Sequence, residues 1–288
     1  MKKHAWLNLA LIVLVAALAL FAYYKPQKKD QELRLSTLKP ADAKTVKIEI
    51  AGTPPVELER SGADWLVTAP VKARADAIQA QRVLEILEAT AKDSFPPQGL
   101  ARYDLNEPPV KLTINQQSFA FGAVNDMSRE QYVLTQGNVY PVSVRFGAMV
   151  PKSVYHVVSK QLFAPDEAPV AFKFDTFSVA QMDGKWQLAP AGGDLSADDF
   201  TRWADEWRLV SALGVLPQTN RKPVSTIEVT LKNGQKITVN VVTREPQLVL
   251  QRSDRPFEYQ MSGEQGKRLL APPSAPPAPA APPAAPQK

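Results

Sequence analysis

Apolar residues stand at helical spacing at Ala80, Val83, Leu84, Leu87 and Ala91, and the same spacing returns 120 positions later at Phe200, Trp203, Ala204, Trp207 and Ser211. Both sets read i, i+3, i+4, i+7, i+11, where an amphipathic helix buries one face. The flanking residues repeat as well. Asp64-Trp65-Leu66-Val67-Thr68-Ala69-Pro70 is answered by Lys185-Trp186-Gln187-Leu188-Ala189-Pro190, and the alternating Val110, Leu112, Ile114 by Ile227, Val229, Leu231. Alternation of this kind marks strands with one buried face. The pattern predicts one α+β module used twice.

Within the first module, Val46, Ile48 and Ile50 open a strand, and a Thr53-Pro54-Pro55 turn leads to a second one through Val56, Leu58, Trp65 and Val67, interrupted at Ser61-Gly62. Asp76 stands at the N-cap or in the first turn of a helix expected to end near Lys92. Strands follow at Val110 to Ile114, Phe119 to Phe121, Gln131 to Leu134 and Val139 to Val142, with Gly122 and Gly137 marking bulges or turns. In the second module Phe172, Phe174, Phe177 and Val179 are strand residues, and Ser196 caps a helix whose first turn holds Asp198 and Asp199. Lys232-Asn233-Gly234-Gln235 predicts a type I′ hairpin. The last strands are expected at Gln247 to Gln251 and Phe257 to Met261.

A different pattern governs the start of the chain. From Ala5 to Tyr24 no residue is charged and Asn8 alone is strongly polar, a run of 20 residues. As a helix it would cover about 30 Å, the hydrocarbon thickness of a bilayer. Trp6, Tyr23 and Tyr24 suit the two interfaces. The rival reading is a cleaved signal peptide with Ala17-Leu18-Ala19 as its site, but Leu20, Phe21 and Ala22 continue the apolar run beyond it. The expectation is a single span whose C-terminal part lies in a bacterial periplasm. At the other end, Ala271 to Lys288 is almost wholly Pro and Ala and predicts a disordered tail of polyproline II character.

The expected organisation is therefore a membrane anchor at 1–24, a stalk at 25–42, a first module at 43–142, a linker with a short helix around Ser153 to Leu162 at 143–169, a second module at 170–270 and a tail at 271–288.

Composition narrows the chemistry. Five of the 34 Lys and Arg lie at Lys2, Lys3, Lys25, Lys28 and Lys29, and the remaining 29 balance the 29 Asp and Glu. No basic footprint for nucleic acid remains in the folded part. With no cysteine there is no disulfide and no thiolate site. Of two histidines, His4 flanks the membrane run, which leaves His156 without a second imidazole for a zinc site. Gly147 to Ser153 has a superficial likeness to a phosphate loop, but Phe146 and Pro151 hold positions that need glycine. The acid pairs Asp198-Asp199 and Asp64 with Asp76 are explained as caps and turn polarity, and Trp65, Trp186, Trp203 and Trp207 as core. No catalytic, cofactor or metal residue is named, and no cofactor is expected.

Trp65 to Pro70 with Ala75-Asp76, then Tyr103-Asp104-Leu105-Asn106-Glu107-Pro108, then Phe119-Ala120-Phe121-Gly122 leading to Gln131-Tyr132-Val133-Leu134, together resemble the bacterial envelope family catalogued as domain of unknown function 4340. The resemblance implies a single-span envelope protein, some relatives of which are encoded near transporter components of the gliding-motility type. It carries over no catalytic residue. The functional expectation is a non-enzymatic periplasmic adaptor or accessory subunit, held to the inner membrane by residues 5–24, with a membrane-protein partner for which a transporter component is one candidate. The alternative is a module that binds a small ligand or peptide in the crevice between the repeats.

Overall fold

The computed structural model describes residues 11, 13–17, 20, 32–192 and 194–275. The described part of the apolar run is helical and its side chains are exposed, Leu11, Val13, Leu14, Val15 and Leu20 among them. Among the described residues no helix is long and apolar enough to cross a membrane, and most of the expected anchor lies outside them.

Among the described residues eighteen strands follow: β1 (Leu33–Arg34), β2 (Thr45–Ile50), β3 (Val56–Ser61), β4 (Asp64–Ala69), β5 (Ala73–Arg74), β6 (Thr90–Ala91), β7 (Val110–Ile114), β8 (Gln117–Asn125), β9 (Glu130–Thr135), β10 (Asn138–Ser143), β11 (Pro169–Lys173), β12 (Ser178–Met182), β13 (Lys185–Ala189), β14 (Gly214–Pro217), β15 (Ser225–Leu231), β16 (Lys236–Thr243), β17 (Leu248–Arg252) and β18 (Phe257–Met261). The main helices are α1 (Ala77–Leu84), α2 (Ala197–Leu209) and α3 (Gly263–Leu270). One eight-stranded sheet runs β10-β9-β8-β7-β2-β3-β4-β5 and the other β14-β18-β17-β16-β15-β11-β12-β13. Seven strands correspond in the same order, from β10 with β18 to β4 with β13. All the pairings are antiparallel. The fold is the expected α+β pair of repeated modules.

Local chemistry accounts for the elements. Asp76 accepts hydrogen bonds from the N–H groups of Ile78 and Gln79 and so caps α1. Ser196 and Asp199 form a reciprocal capping box on α2. The stripe of α1 is buried throughout, but the α-helix ends at Leu84. Glu85–Glu88 tighten into a 3₁₀ turn, and Thr90–Ala91 become β6 because β1 pairs with them. In α2 the stripe ends earlier than expected, since Ser211 is exposed and lies in a bridge to Gln161.

The Asn233-Gly234 hairpin forms, but with a different turn. Asn233 is not at positive φ, Gly234 is (φ 85°), and the Gly234 N–H bonds to the Leu231 carbonyl. That is a three-residue loop closed by a glycine bulge, which tolerates ordinary residues at its first two positions. Type I′ geometry occurs instead at Asp183-Gly184 (φ 51° and 77°) and Gln136-Gly137 (φ 49° and 77°), each joining a tight hairpin.

Three segments read as polar or connecting are built into the packing. Leu35 and Ser36, in the expected stalk, are buried, and β1 pairs with β6. In the expected linker a single turn at Arg145–Ala148 and a 3₁₀ turn at Val154–His156 replace the helix predicted over Ser153 to Leu162. Val157, Val158, Leu162 and Phe163 are buried there and join one continuous core running through both modules. At the tail, the Trp203 indole N–H donates to the Ala271 carbonyl (2.8 Å) and Pro273 is buried, so the first tail residues are docked on α2; residues 276–288 lie outside the described part.

Candidate functional site

The groups with chemical potential are dispersed and engaged locally. His156 is exposed, with Nδ1 2.8 Å from the Ser153 hydroxyl across one 3₁₀ turn. Gly147 lies in the single helical turn, and a Cβ built there would stand 2.0 Å from Gln131 Oε1, so the glycine serves close packing and not a phosphate cradle. Asp199 bonds to Ser196 and pairs with Arg202; the Ser196 hydroxyl and amide hold its carboxyl below the usual carboxylate range. Asp64 opens β4 while Asp76 caps α1. Among the described residues no group of three or more His, Cys, Asp or Glu is placed to hold a metal ion.

What the fold does assemble is a seam between the modules. Residues 157–162 form bonds on both sides. Towards the first module, Asp76 N–H bonds to the Val157 carbonyl and Ser159 N–H to the Arg74 carbonyl; towards the second, Leu162 N–H bonds to the Val210 carbonyl and Ala212 N–H to the Lys160 carbonyl. Beside the seam, Arg252 is fully buried and uses all five of its N–H donors. They reach Asp254 (2.9 and 2.7 Å), Glu167 (2.7 and 2.8 Å) and the Leu162 carbonyl (2.8 Å). Arg255 adds a second guanidinium on Glu167, and Arg74 bonds to Ser159, Gln161 and the Phe163 carbonyl. Burial alone would raise the carboxyls of Glu167 and Asp254, but the Arg252 hydrogen bonds and charge outweigh it and both are held below their ordinary values. Burial and the nearby Arg255 push the Arg74 guanidinium down, with the charge of Asp64 among the groups opposing the shift. Sequence reasoning missed this cluster because Glu167 and Arg252 are 85 positions apart.

The signature segments also converge, in a second small core on the first sheet. Leu105, Ala120 and Val139 are packed there with Phe95, Leu100, Tyr103, Tyr132 and Leu134. The rings of Tyr103 and Tyr132 lie 4.5 Å apart, and the Gln131 amide donates to the Gly122 carbonyl. Gly122 sits in a bulge of β8, where the register shifts between Phe121 and Val124. A Cβ there would stand 2.1 Å from the Tyr103 carbonyl oxygen and 2.8 Å from Leu105 Cγ. Gly122→Ala should therefore cost about 1–3 kcal/mol in urea unfolding, the range for an overpacked site. Gly214→Ala, where a Cβ meets nothing within 4 Å, should be nearly neutral. Equal stabilities of the two variants would remove the packing account of this motif.

A difference between the modules stands out at one sheet edge. In the first, β4 is covered: β5 pairs with it, the Ala75 N–H bonds to the Trp65 carbonyl (2.9 Å), and Ala75 bridges on to Val158. In the second, Pro190, Ala191 and Gly192 are exposed and form no strand, so β13 is the terminal strand of its sheet. Because Asp183-Gly184 is a two-residue turn, Lys185 is bonded back to Met182, and alternation leaves the N–H and C=O of Trp186 and Leu188 pointing away from β12. Trp186 is half-buried where its counterpart Trp65 is buried, a departure from the expected equivalence that follows from the missing strand.

Two of the larger clefts each belong to one module. One of ≈ 660 Å³ lies between α2 and α3 and is lined by charged residues including Asp198, Arg202, Asp205, Glu206 and Arg268. Another of ≈ 770 Å³ lies beside Leu38, Asp42, Lys44 and Asn115.

One family model matches residues 65–216, a stretch that contains the signature segments, the seam and the open edge; its description is Domain of unknown function (DUF4340). No curated protein and no solved structure matches the chain.

Proposed function

The chain belongs to the family described as Domain of unknown function (DUF4340), and from that premise we propose that it acts by contact: a membrane-anchored, periplasmic, non-enzymatic adaptor or accessory subunit of an envelope complex, with a transporter component as one candidate partner. The observation that carries this reading is the open edge at β13, whose counterpart β4 is closed within the chain. Exposed edges are ordinarily covered, charged away or used for pairing with another chain. The apolar run Ala5 to Tyr24 supports the anchor. Tethering to a membrane raises the effective concentration of a membrane-bound partner, so weak contacts suffice. The seam supports the same role, since a single core through both modules holds the edge at a set position relative to the first module.

Complementation of a deletion strain tests the proposal. A protein whose residues 1–24 are replaced by a cleaved export signal should be exported and folded yet fail to complement, while His156→Ala should complement fully. Full complementation by the released domain would remove the anchor from the mechanism. Loss of complementation by a folded, correctly localised His156→Ala variant would replace contact with an active site.

A further inference from the structure

The first module contains the template for what the second one lacks. Its edge strand β4 is covered by the extended segment Ala73-Arg74-Ala75, paired with Val67, Leu66 and Trp65. Ala73 and Ala75 share the face of the buried Val67 and Trp65, and α1 lies against β4. Arg74 stands opposite Leu66, on the other face, which the exposed Asp64 shares. On β13 the corresponding residues are Leu188, Gln187 and Trp186, with Lys185 in the place of Asp64. Here α2 lies against β13, so by the pattern of Ala73 and Ala75 the inward positions take small residues. The charge at the edge is reversed.

We propose that β13 receives an extended segment of a partner protein, added antiparallel to Trp186-Gln187-Leu188, in which an acidic residue stands between two small apolar ones. The outward N–H and C=O groups of Trp186 and Leu188 supply the main-chain bonds, as in strand addition generally. The small residues lie beside the half-buried Trp186 and Leu188. The acid lies on the outer face opposite Gln187 and diagonal to Lys185, the register position that Arg74 holds relative to Asp64. Segments of this composition within the chain, Ala41-Asp42-Ala43 and Ala75-Asp76-Ala77, are already held in other structure, so the occupant comes from another molecule. This inference rests on the adaptor reading and gives the partner's chemistry.

The test uses the full-length chain in detergent micelles and end-capped octapeptides with the central sequence Ala-Glu-Ala or Ala-Lys-Ala. Hydrogen–deuterium exchange at residues 185–189 is the readout. The Glu peptide should protect the amides of Trp186 and Leu188, which point away from β12, with an affinity about two- to five-fold above that of the Lys peptide, the size of an exposed charge pair. Lys185→Glu, a change at an exposed position, should reverse the preference. Protection by neither peptide, or equal protection by both in each protein, would overturn the proposal. A photo-crosslinker at residue 187 in native membranes separates this outcome from failure of the adaptor reading. Adducts formed from other surface positions but not from residue 187 sink the edge and leave the adaptor standing; an adduct at residue 187 whose partner segment lacks the acid between small residues sinks the stated chemistry alone.

Discussion

Replacing Arg252 with methionine should destabilise the protein by about 3–5 kcal/mol, the range for removing one partner of a buried ion pair. The side chain is 0% exposed, and its five N–H donors are divided among Asp254, Glu167 and the Leu162 carbonyl. Methionine fills much of the volume but leaves all three acceptor groups short of donors. Arg255 retains its bonds to Glu167 and a longer one to Leu162, which places the expected loss towards the lower end of the range. Urea unfolding at neutral pH measures it. The pH dependence has a definite sign. Glu167 and Asp254 have folded values below their ordinary 4.5 and 3.8, so the stability they contribute is complete above those values and is lost as pH falls through the depressed ones. Wild type should therefore lose stability below about pH 4.5, and the variant should show a shallower decline over that range. A variant within about 1 kcal/mol of wild type, with the same acid limb, would mean that the cluster is incidental.

Trp207→Ala should cost about 3–5 kcal/mol, whereas Trp186→Ala should cost about 1–2 kcal/mol. Trp207 is 0% exposed, donates its indole N–H to the Leu269 carbonyl (3.1 Å) and packs against Phe172, Phe174 and Trp203 at centroid distances of 5.3, 6.0 and 6.4 Å. Truncation there opens a cavity and orphans a carbonyl at the end of α3. Trp186 lies on the open edge and already meets water on one side. Equal losses at the two sites would show that β13 is covered in solution, which would remove the ground for an open edge.

The repeat was legible because periodicity reports burial, and burial is what the two modules share. Ala80, Val83, Leu84 and Leu87 are as buried as the stripe requires, and Ile227, Val229 and Leu231 face the core in alternation. Caps were equally readable, since Asp76 and Ser196 act through hydrogen bonds two or three residues away. Longer-range competition was not readable. Nothing near Leu87 in sequence announces that Leu33–Arg34 will draw Thr90–Ala91 out of a helix. The segment 157–162 looks like a connector because its pairing partners lie some 80 residues upstream and 50 downstream. The open edge was visible only as the contrast between Ala73-Arg74 and Ala191-Gly192, and its meaning required knowing which strand each segment follows. Arg252 was hidden for a related reason, since a guanidinium before a Ser-Asp turn reads as solvent-facing until Glu167 is brought against it.

Most proteins built from two copies of a module can be divided between the copies, each half closing on itself. Residues 157–162 make that impossible here, because this one segment bridges to Arg74 and Ala75 on one side and to Val210 to Ala212 on the other. A cut at residue 143 would take this segment away from the first copy, and a cut at residue 169 would take it from the second. Either way one fragment is left with a bare backbone edge, of the kind that drives chains to stick to one another. A single shared segment thus ties the two copies together, and a chain added at β13, as proposed, would meet them as one object.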